Sequence, residues 1–76
     1  MNDKLVNLIA DVLDLKPGEV SRETSMANTP LWDSVMHLNL CMSIEQVYAI
    51  SLTPEEMIEL TSVSAIEEML SQRGVA

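Results

Sequence analysis

Between Val35 and Ile50 the chain carries an apolar pattern of helical length, too long for an ordinary strand and too short to span a membrane. A helix of that size must be the principal element of a 76-residue chain, which has room for one small domain, expected to take in residues 1–76. So short a chain buries only a modest share of its surface and usually relies on staples. The single cysteine, Cys41, closes no internal disulfide, and no cluster of Cys and His offers a structural zinc site. Helix packing alone must therefore hold the fold.

The remaining segments supply helices to pack against. Leu5, Leu8, Ile9, Val12 and Leu13 share one side of a first helix, with Asp3 as its expected N-cap. Lys4, Asn7, Asp11 and Asp14 take the other side, and Lys16-Pro17-Gly18 is the expected stop. Residues 15–33 read as a long connection, pinned to the core by Leu15, Val20, Met26, Leu31 and Trp32. Loops of this length in a small domain usually serve a function. Thr53-Pro54-Glu55-Glu56 announces a short third helix, with Thr53 as N-cap, Pro54 first in the helix and Glu56 completing a capping box. Its apolar side is Met57, Ile58 and Leu60. A last helix starts at Ser62, buries Val63, Ile66, Met69 and Leu70, and stops at Gly74. No segment sustains the alternation of a strand. The expected fold is all-α: a small four-helix bundle of three main helices and a short third one.

Charge narrows the partners. Twelve acids face four bases, a net charge of −8, and no Lys or Arg occurs between Glu23 and Gln72. Such a surface repels nucleic-acid phosphates and anionic membrane and suits partners with basic docking patches. Neither nucleic-acid binding nor membrane insertion is expected. Met1-Asn2-Asp3-Lys4 opens no signal peptide and the lone cysteine fits a reducing compartment, so a cytoplasmic location is expected.

The second helix carries more apolar surface than one core needs. Leu40, Ile44, Val47 and Tyr48 form one stripe, while Val35, Leu38 and Met42 form another near the opposite side, bordered by Asn39 and Gln46. A bundle this small cannot easily bury both. The stripe of Val35, Leu38 and Met42 is expected to stay exposed and to dock partners, helped by the adaptable thioethers of Met36 and Met42, unless Met26 and Trp32 fold over it.

Beside that stripe stands Trp32-Asp33-Ser34-Val35, where a polar loop becomes a helix. A serine there has two uses. It can cap the helix through its own oxygen, leaving the protein a non-catalytic interaction module. Or it can bear an esterified phosphate, which the unpaired N–H groups and the positive end of the helix dipole favour. Asp33, Ser34 and His37 make a poor catalytic triad, because Asp33 adjoins the nucleophile instead of orienting the histidine. His37 and Cys41, four apart, are too few to hold a metal. The acids form no calcium-binding loop, and Gly18 and Gly74 build no phosphate-binding glycine loop.

These features together resemble the acyl carrier protein family. The matching residues span nearly the whole chain: the amphipathic first helix, Thr24-Ser25-Met26, Asp33-Ser34-Val35, Ile44-Glu45-Gln46-Val47-Tyr48-Ala49-Ile50, Thr53-Pro54-Glu55-Glu56 and Thr61-Ser62-Val63. The resemblance implies a covalent 4′-phosphopantetheine arm on Ser34, with Asp33 recognised by the phosphopantetheinyl transferase. It also implies a monomeric, non-catalytic carrier that presents an acyl or aminoacyl thioester to loading and acyl-using enzymes through Val35, Leu38, Asn39 and Met42. Departures from the family pattern point away from primary fatty-acid synthesis and towards a specialised pathway. Val35 replaces the usual leucine, Tyr48-Ala49 stands where Phe-Gly is common, and Glu45 is the sole acid left on the second helix.

Overall fold

The computed structural model describes residues 3–75, and four α-helices supply most of the core among them, with Val20, Trp32, Leu52 and Leu60 added from the connections. Helix α1 spans Asp3–Leu13, α2 Ser34–Tyr48, α3 Pro54–Glu59 and α4 Val63–Gln72, with a 3₁₀ turn at Pro17–Glu19. The all-α expectation holds. The β-pairing found among the described residues is an isolated antiparallel bridge between Ser25 and Ser62.

Helix α1 turns Leu5, Leu8, Ile9, Ala10 and Leu13 into the core. Asp3 lies within its first turn instead of capping it from outside; an acid there complements the positive end of the dipole. The helix also ends before Lys16-Pro17-Gly18. Asp14 adopts a left-handed φ of 57°, and the Leu15 N–H reaches back to the Ala10 carbonyl at 2.9 Å. That six-to-one closure ends the helix before Pro17 is reached.

The long connection is sewn down. Thr24 is buried, and its Oγ1 accepts from Ser21 N–H at 2.9 Å. Asn28 ties the next turn by accepting from Ser25 N–H and donating to the Glu23 carbonyl. Met26 N–H donates to the Thr61 carbonyl at 3.0 Å and Val63 N–H to the Thr24 carbonyl at 2.9 Å, fastening the loop to the start of α4. Arg22 and Glu67 add an ion pair at 2.9 Å. Val20 and Trp32 are buried pins, with Leu15 and Met26 packed partly against the core. Leu31 is not a pin: the chain turns at that point so that Trp32 points inward and Leu31 stays 50% exposed.

Helix α2 buries Leu40, Cys41, Ile44 and Tyr48. Val47, expected in that stripe, is instead exposed at its edge, on a shallow groove shared with Leu8 and Val12 of α1. The ammonium of Lys4 lies 4.7 Å from the centre of the Tyr48 ring. Ala49 ends the helix in the left-handed conformation, φ 55°, and Glu45 accepts the Leu52 N–H at 2.8 Å to steer the exit.

The third and fourth helices start as expected. Thr53 Oγ1 accepts from Glu56 N–H at 3.1 Å while Glu56 Oε1 accepts from Thr53 N–H at 2.9 Å. Ser62 Oγ accepts from Ala65 N–H at 3.2 Å, and α4 buries Val63, Ile66 and Leu70, with Met69 partly covered. Gly74, φ 72°, follows α4 as a stop. Ile58 departs from expectation at 74% exposure. A six-residue helix makes fewer than two turns, and here it directs Met57 inward while burial falls to the flanking Leu52 and Leu60.

Candidate functional site at the start of α2

Asp33, in extended backbone geometry, caps α2: its Oδ1 accepts from Met36 N–H at 2.9 Å. Ser34 is therefore the first helical residue, and the reading of Ser34 as the N-cap is corrected. Aspartate caps as well as serine, and burial of Trp32 sets where the chain enters the helix. Once Asp33 takes the capping role, the Ser34 hydroxyl is left exposed, without a hydrogen bond to any described residue.

The surroundings of that hydroxyl suit an esterified anion. Helix geometry gives the N–H groups of Ser34 and Val35 no intrahelical acceptor, and the dipole places partial positive charge there. An exposed hydroxyl open to solvent fits attachment of a long phosphate-linked group. No Lys or Arg stands between Glu23 and Gln72, so the segment brings no cation of its own to hold free phosphates.

The apolar strip next to Ser34 is open. Val35, Leu38 and Met42 are 68%, 57% and 60% exposed, and Asn39 and Gln46 beside them are exposed as well. Trp32 lies in the core and Met26 packs against it, so neither screens the strip. Met36 is half-buried against the core, which leaves Met42 as the adaptable thioether of this face. Glu45 spends a carboxylate oxygen on Leu52 N–H, and the exposed positions from Ser34 to Val47 are uncharged.

His37 faces inward and is committed on both sides. Its Nδ1 accepts from the Trp32 indole Nε1–H at 3.1 Å, with the two rings stacked at 6.1 Å between centroids. An indole only donates, so the proton sits on Nε2, which donates to the Met57 carbonyl at 2.6 Å. Asp33 Oδ1 is engaged with Met36, so Asp33, Ser34 and His37 do not assemble as a triad. Cys41 Sγ lies 3.8 Å from His37 Nε2 in the core. Burial, and secondarily Glu45, pushes its thiol above the ordinary range, away from the reactive thiolate. Among the described residues no three His, Cys, Asp or Glu side chains converge on a metal-binding position. Sequence periodicity placed His37 on α2 but held no signal for its two partners, which come from a loop and from α3.

Comparison with known proteins takes in nearly the whole chain. A family model for a phosphopantetheine attachment site matches residues 3–70. The acyl carrier protein of Amoebophilus asiaticus is 30% identical over 73 residues, covering 96% of this chain and 91% of the relative. Polyketide-8 synthase acyl carrier protein 2 of Streptomyces avermitilis is 31% identical over 71 residues, 93% of this chain and 82% of the relative. A 66-residue match at 29% identity to the non-reducing polyketide synthase pigA of Monascus ruber covers 87% of this chain and 2% of that protein.

Proposed function

The chain belongs to the acyl carrier protein family, marked by its phosphopantetheine attachment site, and from that premise we propose that Ser34 bears the arm. The protein is a non-catalytic acyl carrier with covalent 4′-phosphopantetheine as its cofactor. When bound, the arm supplies a terminal thiol on which an acyl group is held as a thioester. The chain's own residues do the rest. Ser34 offers a hydroxyl that no other described group occupies, Asp33 holds the first turn of α2 in shape, and the helix dipole favours the phosphate. Tethering also raises the effective concentration of cargo wherever the carrier docks.

The observation that carries the assignment is the division of labour at the helix start: Asp33 caps, so Ser34 is free to react. Asp33 also marks the site for the phosphopantetheinyl transferase. Val35, Leu38, Asn39 and Met42 form the docking face for that transferase and for acyl-loading and acyl-using enzymes. The polyketide-synthase relatives and the uncharged face of α2 support a specialised pathway for this carrier. It works as a single domain and as a monomer, in the cytoplasm. Among the described residues no helix is long and apolar enough to cross a membrane.

The test is an intact-mass measurement after incubation with coenzyme A and a broad-specificity phosphopantetheinyl transferase. The expected result is a shift of one phosphopantetheinyl group, absent in Ser34→Ala. A wild-type mass left unchanged by several such transferases, or a shift that survives Ser34→Ala, overturns the assignment.

A further inference from the structure

We propose that His37 is a positioning residue that couples the segment leading into Ser34 to the placement of α3. The ring bridges two parts of the chain that are otherwise tied separately to the bundle. On one side Nδ1 takes the indole proton of Trp32, two residues before Ser34. On the other Nε2–H reaches the Met57 carbonyl, 20 residues away in sequence. Both bonds demand the same neutral tautomer, so each supports the other: a proton on Nδ1 expels the indole, and a proton missing from Nε2 releases α3.

Helix α3 is the element that most needs such a tie. It has six residues, none of them buried, so neither propagation nor core packing holds it strongly. Met57 lies in its last turn, where its carbonyl accepts only a long 3.4 Å bond from the Leu60 N–H of the C-cap. His37 adds a second, shorter bond to that carbonyl from α2, at 2.6 Å. The other polar ties of α3 run elsewhere, to its own cap at Thr53 and through Glu56 to Arg73 at 2.6 Å. Trp32 is in the opposite situation, 2% exposed and fixed in the core. The imidazole thus joins a rigid anchor beside Ser34 to a lightly held helix. A displacement of α3 changes the hydrogen bonding of Trp32, and a disturbance of the segment at Ser34 is felt at α3. The link to the arm rests on the assignment of Ser34, whereas the coupling itself does not.

Two substitutions separate the two bonds. Asparagine places an oxygen near the position of Nδ1 and keeps an acceptor for Trp32, but it does not reach Met57. Glutamine places an amide nitrogen near the position of Nε2 and keeps a donor for Met57, but it abandons Trp32. Hydrogen exchange by NMR on the unmodified protein reads the indole N–H of Trp32 and the amides of α3, with Ile9 and Leu40 amides as the reference for global opening. Coupling predicts that His37→Asn and His37→Gln each speed exchange at both ends by about tenfold, the scale of one lost buried hydrogen bond acting on local opening, while the reference is unchanged. Effects confined to the severed end overturn the proposal. So does acceleration of the reference amides by the same factor, which marks a merely structural role. Parallel modification assays with the transferase and coenzyme A should show a lower kcat/KM for both variants, and wild-type kinetics in both would break the link to Ser34. Failure of the wild type to be modified defeats the attachment assignment alone, because the exchange readout does not depend on it.

Discussion

Helices α2 and α4 both begin beside a serine, and the two serines do opposite work. Ser62 stands outside α4 and spends its hydroxyl on the Ala65 N–H at 3.2 Å. Ser34 stands one position later relative to its helix, inside the first turn, because Asp33 already occupies the capping position. A single residue of register converts a structural hydroxyl into a free one. Thr53, which caps α3, sides with Ser62. A hydroxyl at a helix start is thus left without a hydrogen bond when another side chain has taken over the cap.

The largest effect that tests this contrast is Ser34→Ala. It should abolish the mass shift produced by the transferase while the melting temperature stays near wild type, since no hydrogen bond is lost. Destabilisation by more than about 1 kcal/mol, the ordinary worth of a cap, would show that Ser34 caps after all.

Next come the true caps. Asp33→Ala and Ser62→Ala should each lower unfolding free energy in urea by about 1 kcal/mol, within a range of about 0.5–2. Asp33→Asn sharpens the comparison, because asparagine caps nearly as well without charge. Its stability should match wild type, so any fall in kcat/KM for modification isolates recognition of the carboxylate by the transferase.

The far end of α2 offers a gain instead of a loss. Ala49 holds a left-handed φ of 55°, a conformation that costs a residue with a β-carbon about 1–2 kcal/mol. Ala49→Gly is therefore expected to raise the denaturation midpoint by the equivalent of about 1 kcal/mol, less the entropy that glycine adds to the unfolded chain. A lower midpoint would mean that the strain is relieved elsewhere.

The smallest effect lies at the start of α3. Hydrogen bonding from Thr53 N–H, followed by that from Arg73, holds the Glu56 carboxyl below its ordinary range. A lowered folded-state pKa contributes stability above the ordinary carboxylate value of 4.5 and loses it as pH falls through the lowered folded value. Glu56→Gln should remove a shallow part of the acid-side decline in melting temperature and leave the curve above pH 6 nearly parallel to wild type. A steeper acid decline in the variant would contradict the sign of that shift.

The two faces of α2 show how far periodicity carries. Val35, Leu38 and Met42 were legible as a surplus stripe because a bundle of this size has one core to offer, and they are exposed. Val47 was misassigned since it lies at the edge of the buried stripe, where burial depends on how closely α1 crosses. Leu31 and Ile58 failed for a related reason: an irregular turn and a six-residue helix have no period long enough to define an inner side. The caps at Thr53 and Ser62 were readable because capping is local, a matter of three or four adjacent residues. Asp33 was harder, because Asp33 and Ser34 are equally good caps and the local rules do not choose between neighbours.

By itself the sequence determined the helical content, the two downstream caps and the exposed strip, which follow from local propensity or from a period repeated over several turns; the family followed from the likeness of its motifs to known carriers. Only the tertiary structure decided which of Asp33 and Ser34 capped α2, because the buried indole of Trp32 sets the entry of the chain. It alone brought His37 between Trp32 and Met57, since that contact joins residues distant in sequence that pattern cannot pair. The serine's neighbourhood was legible from the chain; its freedom to react came from packing.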